Sequence, residues 1–156
     1  MAEPGHGTRQ RTLARRRALD ILYEADLLEQ EIPVVLARHA EGLGGLRRSP
    51  APGRPREGGV LDPYTVVLVD GVHGMRPLLD ERIAAAAEHW RLGRMPLIDR
   101  NVLRLGAYEL LEQPEVPTAV VLNEAVELAK LLSTADSGRF VNGVLGRIAR
   151  DIRGEG

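Results

Sequence analysis

An all-α fold, a compact bundle of about seven helices arranged as two small helical subdomains, is what this sequence predicts. Three observations carry it. The 156 residues are 44% hydrophobic but only 3% aromatic, so the core must be built from Leu, Val, Ile and Ala, which suits packed helices better than a sheet sandwich. Apolar residues recur at steps of three and four through most of the chain. No stretch shows convincing strand alternation, and there is no internal repeat.

Residues 1–7 are small and polar and read as a flexible tail. Thr8 is placed to cap a helix running to about Gln30, with Ala14, Ala18, Ile21, Ala25 and Leu28 on one face. A second helix is expected from Pro33, a good first-turn residue, to about Glu41. "GLGGLRRSPAPGRPREGG", residues 42–59, reads as a flexible loop. Asp62 then caps, Pro63 starts a helix, and Gly74 is placed to end it. A short helix is expected from about Pro77 to Trp90, followed by the turn "RLGRMP". Asp99 opens the next helix, to about Glu112, and "QPEVP" breaks it. Two more helices follow, Thr118–Leu132 and Ser137–Arg153. Residues 8–156 thus form one domain. Its N-terminal subdomain covers about 8–75 and its C-terminal subdomain about 76–153, although the division fits residue 60 as well as 75.

The chain has no cysteine, which removes disulfides, thiolate metal sites and cysteine nucleophiles. His6, His39, His73 and His89 lack metal-binding spacing, and no metal is expected. Phosphate loops, dinucleotide-binding glycines and nucleophile elbows are all missing from the sequence. No catalytic residue and no cofactor are therefore expected. No apolar run reaches the ~20 residues of a membrane span, and none resembles a signal peptide, so a cytoplasmic location is expected and no membrane partner.

Net charge is −1, but it is unevenly distributed. Arg9, Arg11, Arg15, Arg16 and Arg17 occur with no acid between Thr8 and Leu19; Asp20, Glu24, Asp26, Glu29 and Glu31 follow. The arginines read either as a nucleic-acid contact or as a solvated face. On the same helix Tyr23 lies opposite the apolar face near Arg16 and Leu27, a strip suited to a partner protein or to scattered surface exposure.

The stretch "DSGRFVNGVLGRI", residues 136–148, holds three glycines and the only phenylalanine. On a helical wheel Val141, Val144, Leu145, Ile148 and Ile152 form the buried stripe, while Arg139, Gly143, Gly146, Arg150 and Arg153 face outward. Phe140 sits on the border with Arg147 beside it. A ring flanked by guanidinium groups is a platform for an unstacked base; the same spacing also fits a residue at the edge of the core.

Three stretches resemble the NusB family of bacterial transcription antitermination factors: the arginine-rich helix ending "ALDILYEADL", then "IDRNVLRLGAYEL", and most specifically "VPTAVVLNEAVELAKLLSTADSGRFVNGVLGRI". The resemblance covers most of the chain, the loop at 42–59 diverging. It implies two small helical bundles and a non-enzymatic RNA-binding adaptor. Such an adaptor pairs with the small-subunit ribosomal protein NusE, binds the boxA element of ribosomal RNA leaders, and works in the RNA polymerase antitermination complex. It also implies the site residues. Arg9, Arg11, Arg15 and Arg16, with Asp136, Ser137, Arg139, Phe140 and Asn142, would lie toward RNA. Tyr23, Leu27 and Asp99 would face the ribosomal protein. Thr12 and Leu13 interrupt the family's denser basic start, which shifts or thins the phosphate contacts. Some members self-associate, so a homodimer is a further expected state. Two other readings remain open here: a module related to the N-terminal domain of ribosomal RNA cytosine methyltransferases, and a purely structural helical homodimer.

Overall fold

The computed structural model describes residues 4–43, 60–88 and 90–154, the side chains of residues 4–7 excepted. Among them there are six α-helices and no strand: α1 (Pro4–Leu28), α2 (Ile32–Ala40), α3 (Pro63–Ala87), α4 (Leu97–Glu112), α5 (Thr118–Leu132) and α6 (Ala135–Arg153). A short 3-10 turn, Leu92–Arg94, lies between α3 and α4. None of the described helices is long and apolar enough to cross a membrane. Apart from Gly42 and Leu43, the expected loop at 42–59 lies outside the described residues, as do residues 1–3. Helix α1 begins at Pro4, one turn before Thr8.

The chain divides into two compact units, residues 1–70 and 71–156. In the first, α1 buries Ala14, Ala18, Leu19, Ile21, Leu22 and Ala25. Leu28, expected on this stripe, is 44% exposed because α1 ends there, with Glu29 in the left-handed region at φ 52°. Helix α2 carries Pro33 in its first turn and packs on α1 through Ile32 and Val35. Asp62 caps α3 as its sequence position suggests, accepting a 2.8 Å hydrogen bond from the Tyr64 amide. The buried Thr65 hydroxyl donates to the Ala14 carbonyl at 2.9 Å.

The expected break between Gly74 and Pro77 does not occur: α3 continues through both to Ala87. Pro77 lacks the N–H that would bond the His73 carbonyl, and Gly74 weakens the helix by about 1 kcal/mol. Against this, Leu68, Val69, Val72, Leu79 and Ile83 lie on one buried stripe with no exposure. Burying each such side chain is worth roughly 1.5–3 kcal/mol, so packing overrides the local signals.

In the second unit α4, α5 and α6 pack on one another. Helix α4 is buried almost all round, from Asn101 to Leu110. Its Arg104, 3% exposed, forms a two-pronged ion pair with Asp80 of α3 (Nε–Oδ1 2.8 Å, Nη2–Oδ2 3.1 Å) and donates to Asn101 Oδ1. Two glycines permit the close packing. A Cβ on Gly71 would sit 2.2 Å from the Tyr108 ring, and one on Gly106 would sit 2.5 Å from Leu145 Cδ1.

Arg153, expected to face outward, turns inward instead. It donates to the carbonyls of Glu109, Leu110, Gln113 and Val116 and to the Thr118 hydroxyl at 2.8–3.3 Å. These oxygens cluster at the C-terminal end of α4, where helix carbonyls lack partners within the helix. Gly154 then ends α6 in the left-handed conformation, φ 66°.

Candidate nucleic-acid interface

Each unit carries part of the sequence-predicted site. On α1, Arg9, Arg11 and Arg16 are exposed, and Leu13 between them is 61% exposed. The Arg11 guanidinium lies 4.3 Å from the centroid of the Tyr64 ring, a contact that orients the cation. Arg15 corrects the sequence reading. It is only 3% exposed, and its guanidinium lies 5.7 Å from the same ring. Two residues after Leu13 and one after Ala14, it falls on the helix side that meets α3, so it packs within the unit and is not on its open surface. Tyr23 is half-buried and Leu27 is 45% exposed, leaving the expected partner strip open on α1.

A buried titratable group lies on α2. His39, 3% exposed, has Nε2 3.4 Å from Glu24 Oε1, at ion-pair distance but not aligned as a hydrogen bond. Burial lowers the imidazole below its ordinary value, outweighing the opposing pull of Glu24; Arg17 adds to the lowering.

In the second unit the start of α6 forms a corner. The Thr134 hydroxyl caps α6 by accepting from the Ser137 amide at 3.0 Å. The Ser137 hydroxyl, buried, donates to Asp99 Oδ2 at 2.8 Å. Asp99 is therefore another correction. It is 4% exposed, third in α4 behind Leu97, and holds α6 where an outward-facing side chain was expected. A carboxylate early in a helix suits the dipole, which is all its sequence position could reveal.

With Ser137, Gly138 and Val141 turned inward, the neighbouring positions point out. Asp136 and Arg139 are exposed and paired at 2.7 Å. Asn142 and Gly143 are exposed, and no atom lies within 4 Å of a Cβ built on Gly143. Phe140 is half-buried. Gly146 departs from the expected outward face, being half-buried with Leu122 within 3.9 Å of its would-be Cβ. Arg147 pairs with Glu88.

Two aromatic residues escaped the sequence reading. Tyr64 follows a helix-starting Asp-Pro and carries no separate signal. Trp90 marks the end of an expected helix, and nothing in its position tells exposure from burial. The structure leaves Trp90 57% exposed and sets its ring edge-on to Phe140, centroids 6.0 Å apart and planes at 63°. Among the described residues no group of three or more His, Asp or Glu could hold a metal ion. The interface offers cations, rings and open backbone, the equipment of a binding surface.

Comparison with known proteins places these features in a family. The NusB family model matches residues 12–150. The transcription antitermination protein NusB of Saccharopolyspora erythraea is 50% identical over 140 residues, 89% of this chain and 86% of that protein. NusB of Salinispora arenicola is 49% identical over 139 residues, covering 89% and 94%. Among solved structures, Thermotoga maritima NusB superposes with a TM-score of 0.71 at 29% identity, covering 97% of this chain and 94% of that one. A chain from the complex of antitermination factors NusB and NusE with double-stranded RNA gives 0.67 at 28% identity, covering 92% and 98%.

Proposed function

Because the chain belongs to the NusB family of transcription antitermination proteins, we propose that it is an RNA-binding adaptor that binds boxA-type ribosomal leader RNA together with the ribosomal protein NusE. The pair would act within the RNA polymerase antitermination complex. The observation that carries this reading is the set of exposed arginines on α1, Arg9 and Arg16 seven residues apart on one face and Arg11 on another, in a segment free of acids. Such arginines attract phosphate without reading sequence, and their contribution falls as added salt reduces the free energy gained by releasing counterions from the RNA.

The α6 corner supports the other half of the task. Arg139, Phe140, Asn142 and the bare backbone at Gly143 offer one cation, one ring, one amide and a close approach. Unpaired RNA is read by stacking and by hydrogen bonds to base edges. Tyr23 and Leu27 form the surface assigned to NusE, since a half-buried ring beside an exposed leucine is the composition of an interface anchor.

With a net charge of −1 the protein alone exerts little long-range pull on RNA, so the partner must add contact surface. The test is boxA RNA binding over a salt series, with and without purified NusE. Affinity is expected to rise when NusE is added and to fall with salt, less steeply for Arg11→Glu and Arg16→Glu. Equal boxA affinity with and without NusE would remove the adaptor reading. A dimer in solution that ignores RNA would favour a purely structural homodimer.

A further inference from the structure

We propose that Trp90, with Phe140, forms a two-ring seat for one unstacked base of single-stranded RNA. This rests on the adaptor reading and adds a residue and a ligand chemistry to it. The chain has a single tryptophan, and the fold leaves it 57% exposed although tryptophan carries the largest apolar surface of any side chain.

The exposed ring is held in place. The Trp90 amide donates to the Ala87 carbonyl at 3.2 Å, just beyond α3. The following 3-10 turn is closed by Arg94 N–H to Arg91 O at 2.9 Å and by Met95 N–H to Leu92 O at 3.2 Å. Met95 is buried and anchors the far end, while Arg100 donates to the Gly93 and Met95 carbonyls at 3.4 Å. Phe140 fixes the indole from the side: at 63° between planes the rings meet edge to face and do not cover each other. The result is an angled corner with an open indole surface, one wall supplied by each ring.

Charge favours a polyanion at this corner over an apolar peptide. Arg91 and Arg94 are exposed on the Trp90 segment, which has no acid between Glu88 and Asp99, and Asp99 is buried. Arg139 and Arg147 flank the Phe140 side, each balanced by one acid, Asp136 and Glu88. Arg91 and Arg94 therefore stand as the surplus cations beside the rings. Rings to stack on, with guanidinium groups to follow the backbone, are the means by which single strands are bound. A duplex keeps its bases stacked and has none to offer this corner.

The test uses the full chain, boxA-type single-stranded RNA and the indole as reporter, since Trp90 is the only one. RNA at saturating concentration, without partner protein, is expected to quench Trp90 fluorescence, and a duplex of the same sequence to leave it unchanged. Trp90→Ala is expected to weaken single-strand binding roughly 5- to 150-fold, the range for loss of one base–aromatic stack. Its salt slope should stay as in the wild type, and Trp90→Phe should keep most of the affinity. An abasic site moved along the RNA should reproduce the loss at one position and cost nothing further in Trp90→Ala. Circular dichroism and a melting curve establish that each variant is folded.

If the wild type binds RNA but Trp90→Ala binds equally well and the indole is unresponsive, the seat is refuted while the adaptor reading stands. A wild type that binds no RNA at any salt overturns both. Trp90 fluorescence that responds to NusE alone, with Trp90→Ala weakening that contact, makes the corner a protein interface and refutes the seat.

Discussion

Gly71 and Gly74 lie three residues apart on α3, and alanine at the two positions should act in opposite directions. An alanine Cβ at Gly71 would lie 2.2 Å from Tyr108 Cε2 and Cζ and 2.6 Å from its hydroxyl. Ordinary contact begins near 3.4 Å, so the ring must retreat by about 1.2 Å, the difference of those two distances. Tyr108 is 7% exposed on a helix buried almost all round, and it has nowhere to go. Overpacking of this kind costs typically 1–3 kcal/mol and sometimes more, against about 1 kcal/mol that alanine returns in helix propensity. A net loss of about 1 kcal/mol, rising to about 2 kcal/mol where the ring cannot retreat, is expected for Gly71→Ala. At Gly74 nothing lies within 4 Å of the new Cβ, so only the propensity gain of about 1 kcal/mol remains. The assay is urea unfolding followed by circular dichroism, with the expected midpoints on either side of the wild type. Gly71→Ala paired with Tyr108→Leu should recover part of the loss, because the smaller side chain vacates the contact. A Gly71→Ala protein as stable as the wild type, or a Gly74→Ala protein less stable than it, would refute the packing argument.

Arg153→Met removes a guanidinium from five oxygens at the end of α4 and should lower unfolding free energy by about 2 kcal/mol. Arg153→Lys should restore only part, since one ammonium cannot span the same set. On α1, Arg16→Glu should reduce the salt slope of single-strand binding by about 0.7 per lost phosphate contact and leave the melting temperature unchanged. Arg15→Glu should instead destabilise the fold by about 3 kcal/mol, because it buries an unpaired charge; equal melting temperatures for the two variants would contradict the burial of Arg15. His39 is held below its ordinary value of 6.5, so the unfolded chain binds its proton first as pH falls. Stability is then full above pH 6.5 and declines as pH drops through the lowered value. Burial sets this direction and Arg17 adds to it, while Glu24 and Asp20 oppose it, with Arg38 paired to Glu24 at 3.3 Å. Unfolding free energy measured from pH 8 to 5 should lose part of its slope in His39→Gln.

What could be read from the sequence was what depends on local pattern. Of the expected stripe Val141, Val144, Leu145, Ile148 and Ile152, the first four are buried and Ile152, near the end of α6, is half-buried, and Asp62 caps α3. The sequence points to a break in α3 because Gly74 and Pro77 are strong local signals, whereas the opposing force, the buried run from Leu68 to Ile83, is a tertiary one. Charged residues were the harder class. Arg15, Asp99 and Arg153 are of residue types that normally face water, and each turns inward toward a partner distant in sequence: a ring at 64, a hydroxyl at 137, carbonyls from 109 to 116. No periodicity encodes such pairings. Exposure alone is easier to read: Arg9, Arg11, Arg16, Arg139 and Asn142 are exposed as their residue types lead one to expect. Trp90 was missed for the converse reason: its neighbours in sequence do not include Phe140, the ring that fixes its pose.

The bond between Ser137 and Asp99 separates two duties along the first two turns of α6. Anchorage falls to Ser137, Gly138 and Val141, while display falls to Asp136, Arg139, Phe140 and Asn142. Recognition can therefore drift, or be redesigned, by exchanging the displayed set while the anchors stay untouched. A library varied at those four positions should yield folded proteins at high frequency, whereas one varied at the three anchors should not.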